Sequence, residues 1–213
     1  MAFTPKSWAD SPSTSTPISA AALEDLESRL AAYAEGPTTV VSSLPGSPVD
    51  GQEVYYLADG TNGVMWHLKY RAGSSSSYKW EFVGGSALKS KSDAGFATGS
   101  ADTFSANTYT PLTGVSITAP LAGDYETDFG CVVTVGAGQT NQVIVTPGIS
   151  GAGSDANAAW GGESGNWVSL IADTILTGLA ASTVLTLMAR SSASGQGCTV
   201  RNRWMSVRPV RVG

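Results

Sequence analysis

The chain has 213 residues, of which 42% are hydrophobic and only 14% are charged, and its formal net charge is −5. This acidic balance argues against nucleic acid or an anionic membrane surface as a partner, and no run approaches the about 20 apolar residues of a membrane span. The 25 glycines, with abundant serine and threonine, are typical of short strands joined by turns, and six tryptophans argue against a disordered chain.

Residues 1–17 are predicted to form an extended leader, because three prolines interrupt regular structure. Phe3 and Trp8 are the large apolar side chains of this leader, and we interpret them as anchors that dock into another surface. A floppy terminus with two incidental aromatic residues is the alternative. The first residues lack the apolar segment of a signal peptide, which predicts synthesis and assembly in a cytoplasm.

A helix is predicted from about residue 17 to residue 35, with Thr16 as its cap and Gly36-Pro37 as its stop. Its apolar side chains recur at coiled-coil spacing, namely Leu23, Leu26, Leu30 and Tyr33. Such a short helix is marginal alone in water. Packing on its own domain is one solution, but the linker-like sequence that follows favours self-association into a bundle.

The next segment predicts a small antiparallel module of three strands, at about 52–58, 64–71 and 78–83. Alternation gives it one aromatic-rich face, to which Val64, Trp66, Leu68, Tyr70, Trp80 and Phe82 belong. A module of this size cannot bury that face alone. It must pack on the next domain or on copies of itself, and we place Trp66, Trp80 and Phe82 with the helix residues at an oligomer interface.

The remainder, after a connector at 87–97, predicts a run of short strands. These strands are expected at 103–110, 114–119, 123–135, 141–147, 166–177, 182–190, 197–206 and 207–212. Such a run indicates a sandwich or jelly roll. The fold class is therefore mainly β, with a short N-terminal coiled-coil helix, the three-stranded module and a C-terminal β-sandwich or jelly roll. The three domains span 1–36, 37–97 and 98–213.

The sequence offers little for catalysis or cofactor binding, so we expect no enzyme, no metal and no cofactor. His67 is the one histidine and lies on the polar face of the small module. Cys131 and Cys198 lie in strand-like contexts that favour buried free thiols, although a single bridge remains open. One histidine and no paired cysteines argue against a zinc site.

Two clusters of charged side chains are open to a binding role. Asp124, Glu126 and Asp128 share one strand face, where they form either a cation site or, as we favour, a solvated outer face. The C-terminal arginines are expected to form ion pairs within the fold or across a subunit boundary, and they are Arg201, Arg203, Arg208 and Arg211.

Trp160 lies in a long loop of small residues, where an exposed indole could stack on a sugar. The alternative is that Trp160 folds back as a lid over the end of the sandwich. Together with Trp167, it forms the candidate glycan-binding set.

Two stretches resemble known proteins. "SWADSPSTSTPISAAALEDLESRL" is similar to the N-terminal attachment segments of bacteriophage tail and fibre proteins, and "LPGSPVDGQEVYYLADGTNGVMWHLKYRAGSSSSYKWEFVGG" is similar to their small β module. The likeness is strong for about 7–85 and loose beyond. It implies a virion protein that is a homotrimer, attaches to other virion proteins through its N-terminus and contacts the host surface, where it could bind glycan.

Three hypotheses follow from the resemblance. The first is a trimeric tail fibre or minor tail protein whose jelly-roll head binds the host surface. The second is a head fibre or decoration protein on the capsid. The third, a glycan depolymerase, is disfavoured because such enzymes in fibres generally need longer, repeat-built catalytic regions.

Overall fold

The computed structural model describes residues 23–27, 40–92 and 102–213. The chain divides into two compact units, residues 1–40 and 41–213. In the first unit the described residues 23–27 are helical, in agreement with the predicted helix, and the remainder of that helix lies outside the described residues. The side chain of Leu26 is 52% exposed.

The described part of the second unit is mainly β, as predicted, and its one helix is the short 3-10 turn η1 (Asp155–Asn157). The strands are β1 Val40–Val41, β2 Glu53–Asp59, β3 Val64–Tyr70, β4 Trp80–Gly85, β5 Leu88–Ser92, β6 Asp102–Phe104, β7 Thr110–Thr118, β8 Gly123–Val135, β9 Val143–Ile149, β10 Ala159–Gly161, β11 Val168–Leu179, β12 Val184–Ser191 and β13 Cys198–Val212. Within the described ranges, no helix has the length and apolar character needed to span a membrane.

Two sheets organise these strands. The first has the order β1-β2-β3-β4-β13-β8-β11, and the second has the order β10-β9-β12-β7. The long strand β13 is central to the first sheet, because it pairs with β8 along one edge and with β6, β5 and β4 in turn along the other. Within the described part of the second unit, the neighbouring strands from β2 onward pair in antiparallel fashion in both sheets.

Both sheets contribute to one hydrophobic cluster, so the unit is a two-layer sandwich. Strand β8 alternates as its sequence predicts: Tyr125, Phe129 and Val133 are at most 1% exposed. Opposite them, the second sheet supplies Val145 and Leu187, both fully buried. Burial of each such side chain stabilises the folded state by about 1.5–3 kcal/mol, so this shared core holds the two sheets together.

The three strands of the predicted small module belong to the first sheet, because β4 pairs with β13 through Glu81 and Trp80. Trp66 is fully buried, and its indole nitrogen donates a hydrogen bond to the Ser86 carbonyl at 3.0 Å. Its ring lies 6.1 Å from that of Tyr125 in β8, and Trp80 is 3% exposed. The same chain therefore completes the burial of both indoles, which removes the physical reason for placing them at a subunit interface.

Phe82, the third of these predicted interface residues, is half-buried and packs against the same hydrophobic cluster. The predicted domain boundaries at 36/37 and 97/98 both fall outside the described residues. So do Phe3, Trp8, Leu30 and Tyr33, and their roles stay predictions.

Three strand predictions are wrong. Residues 103–110 do not form one strand, because β6 ends at Phe104 and β7 begins at Thr110. Residues 88–92 form β5 instead of a connector, since they pair with the edge that β13 offers. The two strands expected at 197–206 and 207–212 are one strand, which accommodates Pro209 beside a register shift.

Candidate functional site

The indole of Trp160 lies on an edge of the sandwich. Trp160 is the middle residue of β10, an outer strand of the second sheet, and pairs with Ile144 of β9. The loop that leads to β10 is ordered by the 3-10 turn η1, which Ser154 caps through a hydrogen bond from the Ala156 backbone nitrogen. The side chain of Trp160 is 48% exposed, so it presents a ring to solvent and is not a buried lid.

An arginine and a carboxylate order the surface beside this indole. Arg190 of β12 donates two hydrogen bonds to Asp155, from Nε to Oδ1 at 3.2 Å and from Nη2 to Oδ2 at 2.7 Å. Its guanidinium carbon lies 5.7 Å from the ring centroid of Trp160 and 5.3 Å from that of Tyr109, within cation–π range. The Tyr109 hydroxyl donates to Asp155 Oδ1 at 2.5 Å. Four side chains thus form one cluster, which we call the Trp160 cluster.

Ionisation in the Trp160 cluster is fixed at neutral pH. The hydrogen bond from Arg190, with a second from Tyr109, lowers the pKa of the Asp155 carboxyl, and the same pairing raises the pKa of Arg190. Burial and the hydrogen bond to Asp155 raise the pKa of Tyr109 to about 12. The cluster therefore presents a carboxylate, a guanidinium and a neutral phenol. It can hold a polar ligand against the exposed indole, but no group in it exchanges a proton near pH 7.

Trp167, the second predicted glycan-binding residue, lies just before β11 and is 42% exposed. The Arg201 guanidinium carbon of β13 lies 3.6 Å from its ring centroid, a close cation–π stack. Trp160 is in the second sheet, whereas Trp167 leads into the first, and among the described residues no ring contact joins them.

Sequence reasoning finds Trp160 but misses the partners that order it. Tyr109, Asp155 and Arg190 are 35 or more residues apart along the chain, so no local pattern connects them. Only the pairing of β12 with β9, and of β9 with β10, brings Arg190 beside Trp160.

The three carboxylates on the outer face of β8 each have different contacts. Glu126 accepts hydrogen bonds from Arg208, at 2.8 Å from Nε and 2.5 Å from Nη2, and Asp124 accepts one from the Gly178 backbone nitrogen at 2.9 Å. Asp128 lines a groove that is described below. Within the described ranges, no group of three or more histidine, cysteine, aspartate or glutamate side chains could hold a metal ion.

The remaining predicted residues have structural contacts. Cys131 and Cys198 are buried free thiols, as predicted. His67 lies 2.8 Å from a Glu53 carboxylate oxygen, and Lys69 lies 2.7 Å from the other oxygen of that carboxylate. The expected ion pairs of the C-terminal arginines are present within the fold for Arg203 and Arg208.

No protein-family model and no curated protein matches the chain. Among solved structures, dimeric latent PorU from Porphyromonas gingivalis is 13% identical, with a TM-score of 0.37, over 59% of this chain and 13% of that chain. The structure of infectious bursal disease virus, Gx strain, is 12% identical, with a TM-score of 0.37, over 79% of this chain and 54% of that chain. The chain thus spans at most about half the length of either, and likenesses at this TM-score carry no argument about function.

Proposed function

We propose that the chain is a structural protein of a bacteriophage virion. In this proposal it is a homotrimeric tail fibre or minor tail protein that docks through its N-terminal segment. Its β-sandwich, of jelly-roll type, displays a surface that binds host glycan. The resemblance of residues 7–85 to phage attachment segments and their small β module supports the virion assignment.

The observation that carries the binding role is the Trp160 cluster. An exposed tryptophan normally costs free energy by leaving apolar surface in water, and a ligand that stacks on it recovers that cost. Arg190 is held in place by two hydrogen bonds to Asp155, so donors and acceptors beside the ring are preorganised. A flat apolar ring bordered by fixed polar groups suits a sugar, which combines C–H faces with hydroxyls.

The predicted helix seam, together with the resemblance, supports the proposal of a trimer. In the described helical segment, Leu26 leaves half of its side chain in solvent within a single chain. A seam of this kind is buried when helices of several copies associate. The number three comes from the phage proteins that the sequence resembles.

The binding role is tested by the adsorption of purified protein to host cells. Trp160→Ala is expected to weaken adsorption by roughly threefold to tenfold, because it removes the stacking ring. Val184→Ala is the matched control, since it also truncates an exposed apolar side chain of the second sheet, 43% exposed, away from the cluster. Equal adsorption by Trp160→Ala and Val184→Ala, with unchanged circular dichroism, would remove Trp160 from the binding surface.

A further inference from the structure

A groove of about 720 Å³ crosses the outer face of the first sheet. Its walls come from β5, β13, β8 and β11, four strands that lie side by side at this point. This volume lies within the range of small-molecule sites, about 300–1,000 Å³. The groove is formed by different strands from those that carry the Trp160 cluster.

Trp204 provides an aromatic floor for the groove. In the sheet register it lies opposite Lys91 on one side and Gly130 on the other, and Gly130 in turn lies opposite Ile171. A Cβ atom at Gly130 would lie 2.8 Å from Trp204 Nε1 and 2.9 Å from its Cε2. The missing side chain therefore lets the indole cover the backbone of β8, and the half-buried ring lines the groove.

The next row across the sheet is polar and carries both signs of charge. Lys89 lies opposite Ser206, Ser206 opposite Asp128, and Asp128 opposite Asp173. Two like charges directly opposite each other on neighbouring strands are unfavourable without a partner. Among the described residues, the Asp173 side chain makes no hydrogen bond or ion pair, so its carboxylate oxygens are available to a ligand that donates hydrogen bonds.

The composition of the groove restricts its ligand. Among the described lining residues, Lys89 and Lys91 stand on one side and Asp128 and Asp173 on the other, so their formal charges sum to zero and favour neither an anion nor a cation. Ammonium groups only donate hydrogen bonds and carboxylates only accept them, and a hydroxyl can satisfy both. An indole floor adds a requirement for a flat C–H surface. A pyranose ring meets all three conditions.

We propose that this groove binds a neutral oligosaccharide, with one sugar ring stacked on Trp204 and its hydroxyls hydrogen-bonded to Asp173 and Asp128 on one wall and to Lys89 on the other. The site is separate from the Trp160 cluster. It needs neither a virion nor a trimer, so it goes beyond the proposed function and is tested without either.

The test is isothermal titration calorimetry of the purified full chain with maltotriose, cellotriose and chitotriose, and with trigalacturonate as an acidic comparison. At least one neutral trisaccharide is expected to bind with a Kd of about 1 mM or tighter. Trp204→Ala should weaken that binding about tenfold, and Asp173→Asn, a conservative change on an exposed strand, about fivefold. Val184→Ala, which truncates an exposed apolar side chain of the second sheet outside both sites, is the control and should leave the affinity unchanged.

Several results would overturn the proposal. They are the absence of saturable heat with every neutral probe, tighter binding of trigalacturonate than of the neutral probes, or a sugar affinity that Trp160→Ala lowers and Trp204→Ala does not, which would assign the heat to the Trp160 cluster. Unchanged affinity in Asp173→Asn would also overturn it, and this variant decides the matter if Trp204→Ala does not fold. Absence of sugar binding together with self-association that Ile171→Asp abolishes would assign the groove to a second copy of the chain.

Discussion

Breaking the buried ion pair between Arg203 and Asp102 should lower the free energy of unfolding of the sandwich more than breaking any exposed ion pair. Arg203 is 1% exposed, and its Nη1 lies 3.0 Å from Asp102 Oδ2. The same carboxylate accepts hydrogen bonds from the Thr113 backbone nitrogen at 2.8 Å and from its hydroxyl at 3.0 Å. Arg203 also donates to the carbonyls of Thr113 at 2.9 Å and Val200 at 3.2 Å. The pair thus ties β6 and β7 to β13.

Asp102→Ala removes the carboxylate and leaves a guanidinium in the interior without a counter-charge. The two carbonyls that remain bonded to Arg203 do not neutralise it, and its Nη2 atom has no hydrogen-bond partner even in the intact protein. Breaking a buried pair by removing one partner costs about 3–5 kcal/mol. The two lost hydrogen bonds of Thr113 add to this loss, whereas the 22% exposure of the Asp102 side chain reduces it, so we expect a loss within this range.

The assay is urea unfolding followed by far-ultraviolet circular dichroism, with Glu126→Ala as the matched control. Glu126 and Arg208 also form an arginine–carboxylate pair, but their side chains are 34% and 45% exposed. Such an exposed pair contributes about 0–1 kcal/mol. If Asp102→Ala lowers the free energy of unfolding by no more than Glu126→Ala does, the reasoning that burial makes the Arg203 pair costly to break is refuted.

Three further predictions concern assembly, thiol chemistry and acid stability. Leu26→Asp combined with Leu30→Asp should lower the oligomer mass measured by light scattering, and an unchanged mass would mean that the helix seam is not an essential interface. Burial raises the pKa of Cys131 to about 12, so a disulfide reagent at pH 8 should label this thiol only after unfolding; rapid labelling of the native protein would contradict its burial. Hydrogen bonds from Lys69 and His67 lower the pKa of Glu53, and those from Arg208 lower that of Glu126, in both cases from 4.5. The pKa of each carboxyl is lower in the folded than in the unfolded protein, so this stabilisation is present above about pH 4.5 and is lost as the pH falls through the folded pKa. The melting temperature should therefore drop between pH 6 and about pH 3. A melting temperature that stays constant over this range would contradict the prediction.

The sequence predicts those strands whose alternation is strong enough to stand alone. The predicted and observed bounds of β8 coincide at residues 123–135, because apolar and polar side chains alternate along most of it. Strand β5 has a single buried apolar residue, Leu88, followed by lysines and serines, so no periodicity marks it. It is a strand because β13 extends beyond β4 and offers an edge for pairing.

The candidate sites show the same division between local and tertiary information. Trp160 is recognisable from its loop of small residues, yet the orientation of Arg190 and Asp155 beside it depends on sheet order. Trp204 is not recognisable from its own neighbours. The available signal is Gly130, a glycine inside a well-alternating strand, which indicates that another group approaches the backbone closely.

The burial of Trp66 shows a limit of reasoning from segment size. A three-stranded module cannot bury an aromatic face by itself, and this physical argument holds. The sequence leaves open whether the cover comes from another chain or from the rest of the same chain. Contact between Trp66 and Tyr125, a residue 59 positions later, is a tertiary event that no local pattern encodes.

The central claim is that the chain is a virion protein that displays its sandwich to the host. Cryo-electron microscopy of bacteriophage particles labelled with an antibody against residues 102–213 tests it most directly. The account predicts label at the tail, in groups of three sandwiches that project outward. Label on the capsid faces would contradict the tail assignment and favour a decoration protein, and unlabelled particles would contradict the virion assignment altogether.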